Sequence, residues 1–124
     1  MKGILLFAHG SRDPDWARPV QTLAARLQAQ LPQVSVAIAY LELMAPSLQE
    51  SAQQLIDEGA ADILVVPVFL SQGSHVRRDL PQLVDACRAV HPGVETRCAT
   101  AVGEDDGVLD AIARYCIDQI GDGA

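Results

Sequence analysis

The stretch VVPVFLSQGSHVRRDLP, residues 65–81, opens as a near-continuous apolar run and then breaks into small polar residues, a histidine and two arginines. A run this apolar, with no polar alternation, suits a strand covered on both faces, as in the middle of a parallel sheet. Extended to residues 62–70 (DILVVPVFL), it is one of four such runs. The others are 3–8 (GILLFA), 34–40 (VSVAIAY) and 94–99 (VETRCA). The last mixes in polar residues and suits a sheet edge.

Helical patterns separate these runs. Trp16, Val20, Leu23, Leu27 and Leu31 recur at helical spacing, which predicts a helix over 14–30 with these side chains on its apolar stripe. SLQE at 47–50 has the S-x-x-E form of a capping box and predicts a second helix with Ser47 as its N-cap. Leu48, Ala52, Leu55 and Ile56 form its stripe, and Gly59 suits its end. Leu80, Leu83, Val84 and Cys87 mark a third helix, for which Asp79 and Pro81 predict a start at DLP. A fourth, roughly 105–120, is expected to bury Leu109, Ile112, Cys116 and Ile120.

Strand–helix alternation with right-handed crossovers gives an α/β fold, an open parallel sheet with helices on both faces. The expected strand order is 2-1-3-4, since the chain must turn to the other side of strand 1 after strand 2. Strands 1 and 3 then flank a topological switch, and ligands bind at the carboxyl ends of strands there. No linker, repeat or low-complexity segment divides the 124 residues, so residues 1–124 are expected to form a single domain.

Composition excludes several classes of function. A formal net charge of −7 argues against nucleic acid as a partner. No apolar run approaches the ~18–20 residues of a membrane span. The opening MKGILLFAHG reads as a first strand rather than a signal peptide, so a cytoplasmic protein with no membrane partner is expected. Cys87, Cys98 and Cys116 are widely spaced without a C-x-x-C, which predicts reduced core thiols. Arg12, Arg77 and Arg78 form a local basic cluster that suits either an anionic small ligand or solvated loop pairs with Asp13, Asp15 and Asp79.

The loops leaving strands 1 and 3, AHGSRDP and SQGSHVRRDLP, each carry a histidine, a glycine, a serine and arginine. A lone loop histidine is usually a surface group, but His9 and His75 both fall at the predicted crevice. His91, before Pro92 at a helix end, carries no functional expectation. There is no G-x-S-x-G elbow around Ser11, which disfavours a hydrolase using Ser11 and His9. No P-loop or dinucleotide fingerprint occurs, so no organic cofactor is expected. Two neutral imidazoles with a carboxylate would suit Co²⁺, Fe²⁺, Ni²⁺ or Zn²⁺. Glu42 is the candidate carboxylate, although spacing alone slightly favours an ordinary loop acid.

At these positions the chain resembles a known family. LLFAHGSRDP, YLELMAPSLQE and VPVFLSQGSHVRRDLP are similar to the signature segments of the small CbiX-type sirohydrochlorin chelatases, members of the class II chelatases. The resemblance implies the chelatase-like three-layer sandwich, one half of the two-domain long forms. It implies insertion of a divalent metal, with cobalt ahead of iron or nickel, into sirohydrochlorin for cobalamin, sirohaem or a nickel tetrapyrrole. It further implies metal-binding and catalytic roles for His9 and His75, an acidic site position at Glu42, and a homodimer. Ser11, Arg12, Ser74, Arg77 and Arg78 are then candidate contacts for the tetrapyrrole, the arginines through its peripheral carboxylates. A protein that binds metal or tetrapyrrole without turnover is the competing expectation.

Overall fold

The computed structural model describes residues 1–71 and 73–121, with the His75 side chain outside that description. Its four strands are β1 (Lys2–Ala8), β2 (Ser35–Tyr40), β3 (Asp62–Pro67) and β4 (Glu95–Cys98), all parallel and in the order β2-β1-β3-β4. Four helices connect or follow them: α1 (Arg18–Gln30), α2 (Leu48–Asp57), α3 (Ser74–Val90) and α4 (Asp106–Ile120). Phe7 of β1 is opposite Ala39 of β2 and Pro67 of β3, which levels the carboxyl ends of the three strands.

The apolar run of β1 is explained by two cores. Leu5 and Phe7 face α2 and α3, packing with Ile63, Val65, Leu55, Leu80 and Val84. Leu6 faces α1 with Val20 and Tyr40. Every β1 residue from Leu5 to Phe7 is at most 2% exposed, so an inserted polar group there would lack both water and a partner. The capping box at α2 is closed: the Glu50 backbone N–H donates to Ser47 Oγ (3.2 Å), and the Ser47 N–H donates to Glu50 Oε1 (2.8 Å).

Several sequence expectations are corrected. β3 ends at Pro67 rather than residue 70; the Val68 N–H still donates to Phe7 O (2.8 Å), and Phe69 and Leu70 run on as a loop. The helix predicted over 14–30 divides into a 3-10 turn (Pro14–Ala17) and α1. Of the side chains expected on its stripe, Val20 is buried and Leu27 half-buried, but Trp16, Leu23 and Leu31 are 63%, 36% and 38% exposed. α3 begins at Ser74, with Gly73 as its N-cap, so Asp79 and Pro81 lie inside the helix. Starting early brings Val76 one turn ahead of Leu80 into the core. Burying such a side chain contributes about 1.5–3 kcal/mol, comparable to the ~3 kcal/mol cost of an interior proline.

α4 departs most from expectation. Leu109 and Ile112 are 45% and 39% exposed, Ile120 is 64% exposed, and Cys116 is exposed as well. The connection from β4 to the helix is seated on the loop that leaves β3. The Gly103 N–H donates to the Phe69 carbonyl (2.9 Å), and Gly103 lies so close to the Leu70 backbone that a β-carbon there would overlap it. Of the three free cysteines only Cys87 is buried; Cys98 lies exposed on β4. Among the described residues, no helix is long and apolar enough to cross a membrane.

Candidate functional site

The exits of β1, β2 and β3 meet at one edge of the sheet. Beyond Tyr40 the backbone keeps parallel-ladder contacts with the β1 exit: Leu41 N–H donates to Ala8 O (2.9 Å) and Glu42 N–H to His9 O (3.2 Å). Gly10 makes this approach possible. Its φ of +98° is in the left-handed region, and a β-carbon there would overlap the Glu42 carbonyl oxygen. Leu43 is also left-handed (φ 66°), a conformation that costs a leucine energy and turns the loop directly after Glu42.

The outcome is a pair. His9 Nε2 lies 3.2 Å from Glu42 Oε1, and both side chains are about half exposed. The His9 ring is braced by the edge of Phe69, with centroids 6.3 Å apart and an interplanar angle of 77°. Phe69 is itself set edge-on against buried Phe7 at 6.0 Å. An imidazole nitrogen and a carboxylate oxygen therefore stand side by side on a rigid floor, accessible from solvent. Such a pair can meet one small cation or accept a proton from an acidic N–H.

A cavity of about 410 Å³ opens beside His9 on the α1 side of the sheet. Ala8, Val20, Val68 and Pro19 make it largely apolar, and Trp16 and Asp15 stand at its wall. Asp15 is paired with Arg18 Nη2 at 2.9 Å, which offsets its charge. Trp16 is the cavity residue that sequence periodicity misplaced. The signal that could have found it is Asp13-Pro14, an N-cap and first-turn proline that start a separate turn ahead of α1.

The other expected residues are distributed unevenly. His75 is the second residue of α3, at the carboxyl end of β3 and next to β1; its side chain lies outside the described residues. Ser74 is the first residue of that helix and exposed. Ser11 Oγ accepts the Asp13 N–H (3.1 Å) and so shapes the loop. Arg12 is exposed on the same loop. Arg78 Nε lies 3.5 Å from Asp79. Arg77 lines a second groove of about 220 Å³ on the α3 side, with Leu80, Val84, Arg88 and Cys98, and stands 4.0 Å from Glu104. Although Cys98 is exposed as a residue, the groove walls partly desolvate its thiol and push its pKa up, which the Arg88 guanidinium only partly offsets. Among the described residues, no group of three potential ligands is close enough to hold a metal ion alone.

A histidine–carboxylate pair on the carboxyl edge of a doubly wound sheet, beside an apolar cavity, defines a small α/β protein that can place a bulky apolar ligand next to cation- or proton-handling groups. The CbiX family model matches residues 3–118, and the chain belongs to that family. It is 37% identical to the sirohydrochlorin cobaltochelatase of Saccharolobus solfataricus over 120 residues, 92% of each chain. The solved structure of a CbiX protein from Marinobacter aquaeolei superposes with a TM-score of 0.85 at 32% identity, covering 97% of this chain and 98% of that one. SirB from Bacillus subtilis, solved with Fe³⁺, gives a TM-score of 0.80 at 26% identity and covers 97% of this chain but 47% of its own. Four further sirohydrochlorin cobaltochelatases, that of Sulfolobus acidocaldarius among them, are matched over only 58% to 64% of their own length.

Proposed function

We propose that this chain is a sirohydrochlorin chelatase that inserts a divalent metal, cobalt first, into the free tetrapyrrole. The observation that carries the reading is the His9–Glu42 pair, 3.2 Å apart, with His9 lining the apolar cavity. The names of the cobaltochelatases it matches support the substrate and the metal.

Insertion requires that the ring lose two pyrrole N–H protons and gain one M²⁺, so two protons leave for each metal that enters. A neutral His9 nitrogen presents the metal, with His75 from α3 as its proposed partner. Glu42, half exposed beside His9, accepts the two pyrrole protons one after the other and passes each to solvent. Arg12, on the His9 loop, is better placed for a peripheral carboxylate than Arg77, which turns toward Glu104 on the other side of the sheet. Ser11, Ser74 and Arg78 complete the proposed substrate contacts.

The proposal includes a homodimer of single domains, each equivalent to half of a long-form chelatase. It is supported by the uncovered apolar stripe of α4 and by the double-length SirB chain. A cytoplasmic setting is supported by three free thiols, which suit a reducing compartment.

The test is an anaerobic absorbance assay with sirohydrochlorin and, in parallel, Co²⁺, Fe²⁺ and Ni²⁺. Metallated product at many turnovers per protein, with Co²⁺ fastest and both His9→Ala and His75→Ala inactive, is expected. A spectral shift on mixing with no turnover would instead favour a carrier, and faster insertion of Fe²⁺ or Ni²⁺ would change the metal.

A further inference from the structure

The indole of Trp16 is unexplained by folding. It is the chain's single tryptophan, yet 63% of it faces solvent. Isolated exposed apolar side chains are ordinary, but this one is held in place. The Asp13 N–H donates to Ser11 Oγ (3.1 Å), the Asp15 N–H to Asp13 Oδ1 (3.0 Å), and the Trp16 N–H to Asp13 O (3.0 Å). Directly after it, Ala17 is 3% exposed and anchors the turn in the α1-side core. The turn is therefore rigid while the side chain is left out.

What the turn gains is a wall. Trp16 lines the same cavity of about 410 Å³ as His9, with Val20, Pro19 and Val68 completing the apolar lining. A flat aromatic surface next to aliphatic residues, with one histidine at the edge, selects a ligand with a broad conjugated face and polar groups around its rim. Asp15, the carboxylate in the cavity wall, is paired with Arg18 at 2.9 Å, which weakens its repulsion of anionic substituents.

We infer that Trp16 is the ring-stacking residue of this site: one face of the conjugated macrocycle lies along its indole, which positions the ring relative to His9. This rests on the chelatase reading and adds a positioning residue to it. Because the indole touches a ring face and makes no bond to the reacting nitrogens, it acts on substrate binding more than on metal insertion. The ring plane is oriented by Trp16, and the metal and protons are handled by His9 and Glu42.

The experiment compares the full chain with Trp16→Phe and Trp16→Ala. Equilibrium binding of metal-free sirohydrochlorin is followed by absorbance, with steady-state cobalt insertion and thermal melting measured alongside. Trp16→Ala is expected to raise Kd and KM about five- to tenfold, with kcat changed less than about twofold and Tm unchanged. Trp16→Phe, which keeps an aromatic face, is expected to restore both constants to within about twofold of the unaltered protein. Unchanged Kd in Trp16→Ala overturns the inference while leaving the chelatase reading intact. So does equal impairment of both variants accompanied by a lower Tm, which would mean a structural role. If the unaltered protein binds no sirohydrochlorin, the chelatase reading fails and the inference fails with it.

Discussion

The backbone oxygen of Glu42 occupies the space that any side chain at Gly10 would need, so the two loops that carry His9 and Glu42 are joined backbone to backbone. The 3.2 Å spacing of the two side chains follows from that contact. The glycine directly after the histidine thus acts as a geometric part of the site.

Replacing Gly10 with alanine should separate the loops. The new methyl group meets a carbonyl, not a flexible side chain, and the φ of +98° disfavours any L-residue. A loss of about 2 kcal/mol or more is expected, together with at least tenfold slower chelation. Denaturant unfolding and the absorbance assay report the two effects, and wild-type values for both would mean that the loops tolerate a wider gap.

Glu42 tests chemistry apart from packing. Glu42→Gln keeps size while removing charge and basicity, and because the side chain is half exposed its loss should alter stability by less than about 0.5 kcal/mol. Chelation should slow by about 10²-fold, the lower range for a proton-transfer group. A melt and a single-turnover trace on one preparation decide it; a variant as fast as the parent would return Glu42 to the status of an ordinary loop acid.

The capping box predicts a pH signature. Glu50's carboxyl is held below its ordinary value by the backbone N–H of Ser47 and, secondarily, by the Ser47 hydroxyl. A carboxyl lowered on folding contributes stability above its unfolded value, and that contribution is lost as pH falls through the folded one. The stability gap between the parent and Glu50→Gln should therefore be present at neutral pH and close on acidification below the carboxylate range. Ser47→Ala should cost about 1 kcal/mol. Melts from neutral to acid pH measure both, and a gap that widens in acid would contradict the assignment.

The uncovered stripe of α4 predicts association. Leu109→Asp with Ile112→Asp places charge on a face whose side chains are 45% and 39% exposed within the chain, so the single-chain fold should survive. Light scattering should find a dimer for the parent and a monomer for the variant, with equal helicity by circular dichroism. A parent that is already monomeric at working concentration would remove the dimer from the proposal.

Local pattern carried much of this protein. Uninterrupted apolar runs around Leu5–Phe7 and Ile63–Val66 marked strands needing cover on both faces, and handedness then left one economical strand order. The S-x-x-E at Ser47–Glu50 placed a helix start to the residue because capping is local chemistry. His9 and Glu42 were legible as candidates because both follow strands that end at the same edge.

Other features depended on contacts that no local pattern encodes. The start of α3 moved to Ser74 because Val76 could be buried one turn earlier, a benefit visible only once β1 and β3 are in place. Trp16 fits a helical stripe in one dimension, but the turn begun by Asp13 and Pro14 rotates it out toward the cavity. α4 is amphipathic by sequence, yet Leu109, Ile112 and Ile120 stay exposed in the fold. What the sequence by itself determined was the set of elements, their order and the residues at the strand exits, since these follow from periodicity, handedness and capping. Only the tertiary structure decided which apolar faces stay uncovered and that His9 and Glu42 stand 3.2 Å apart, because both depend on backbone approaches between distant segments.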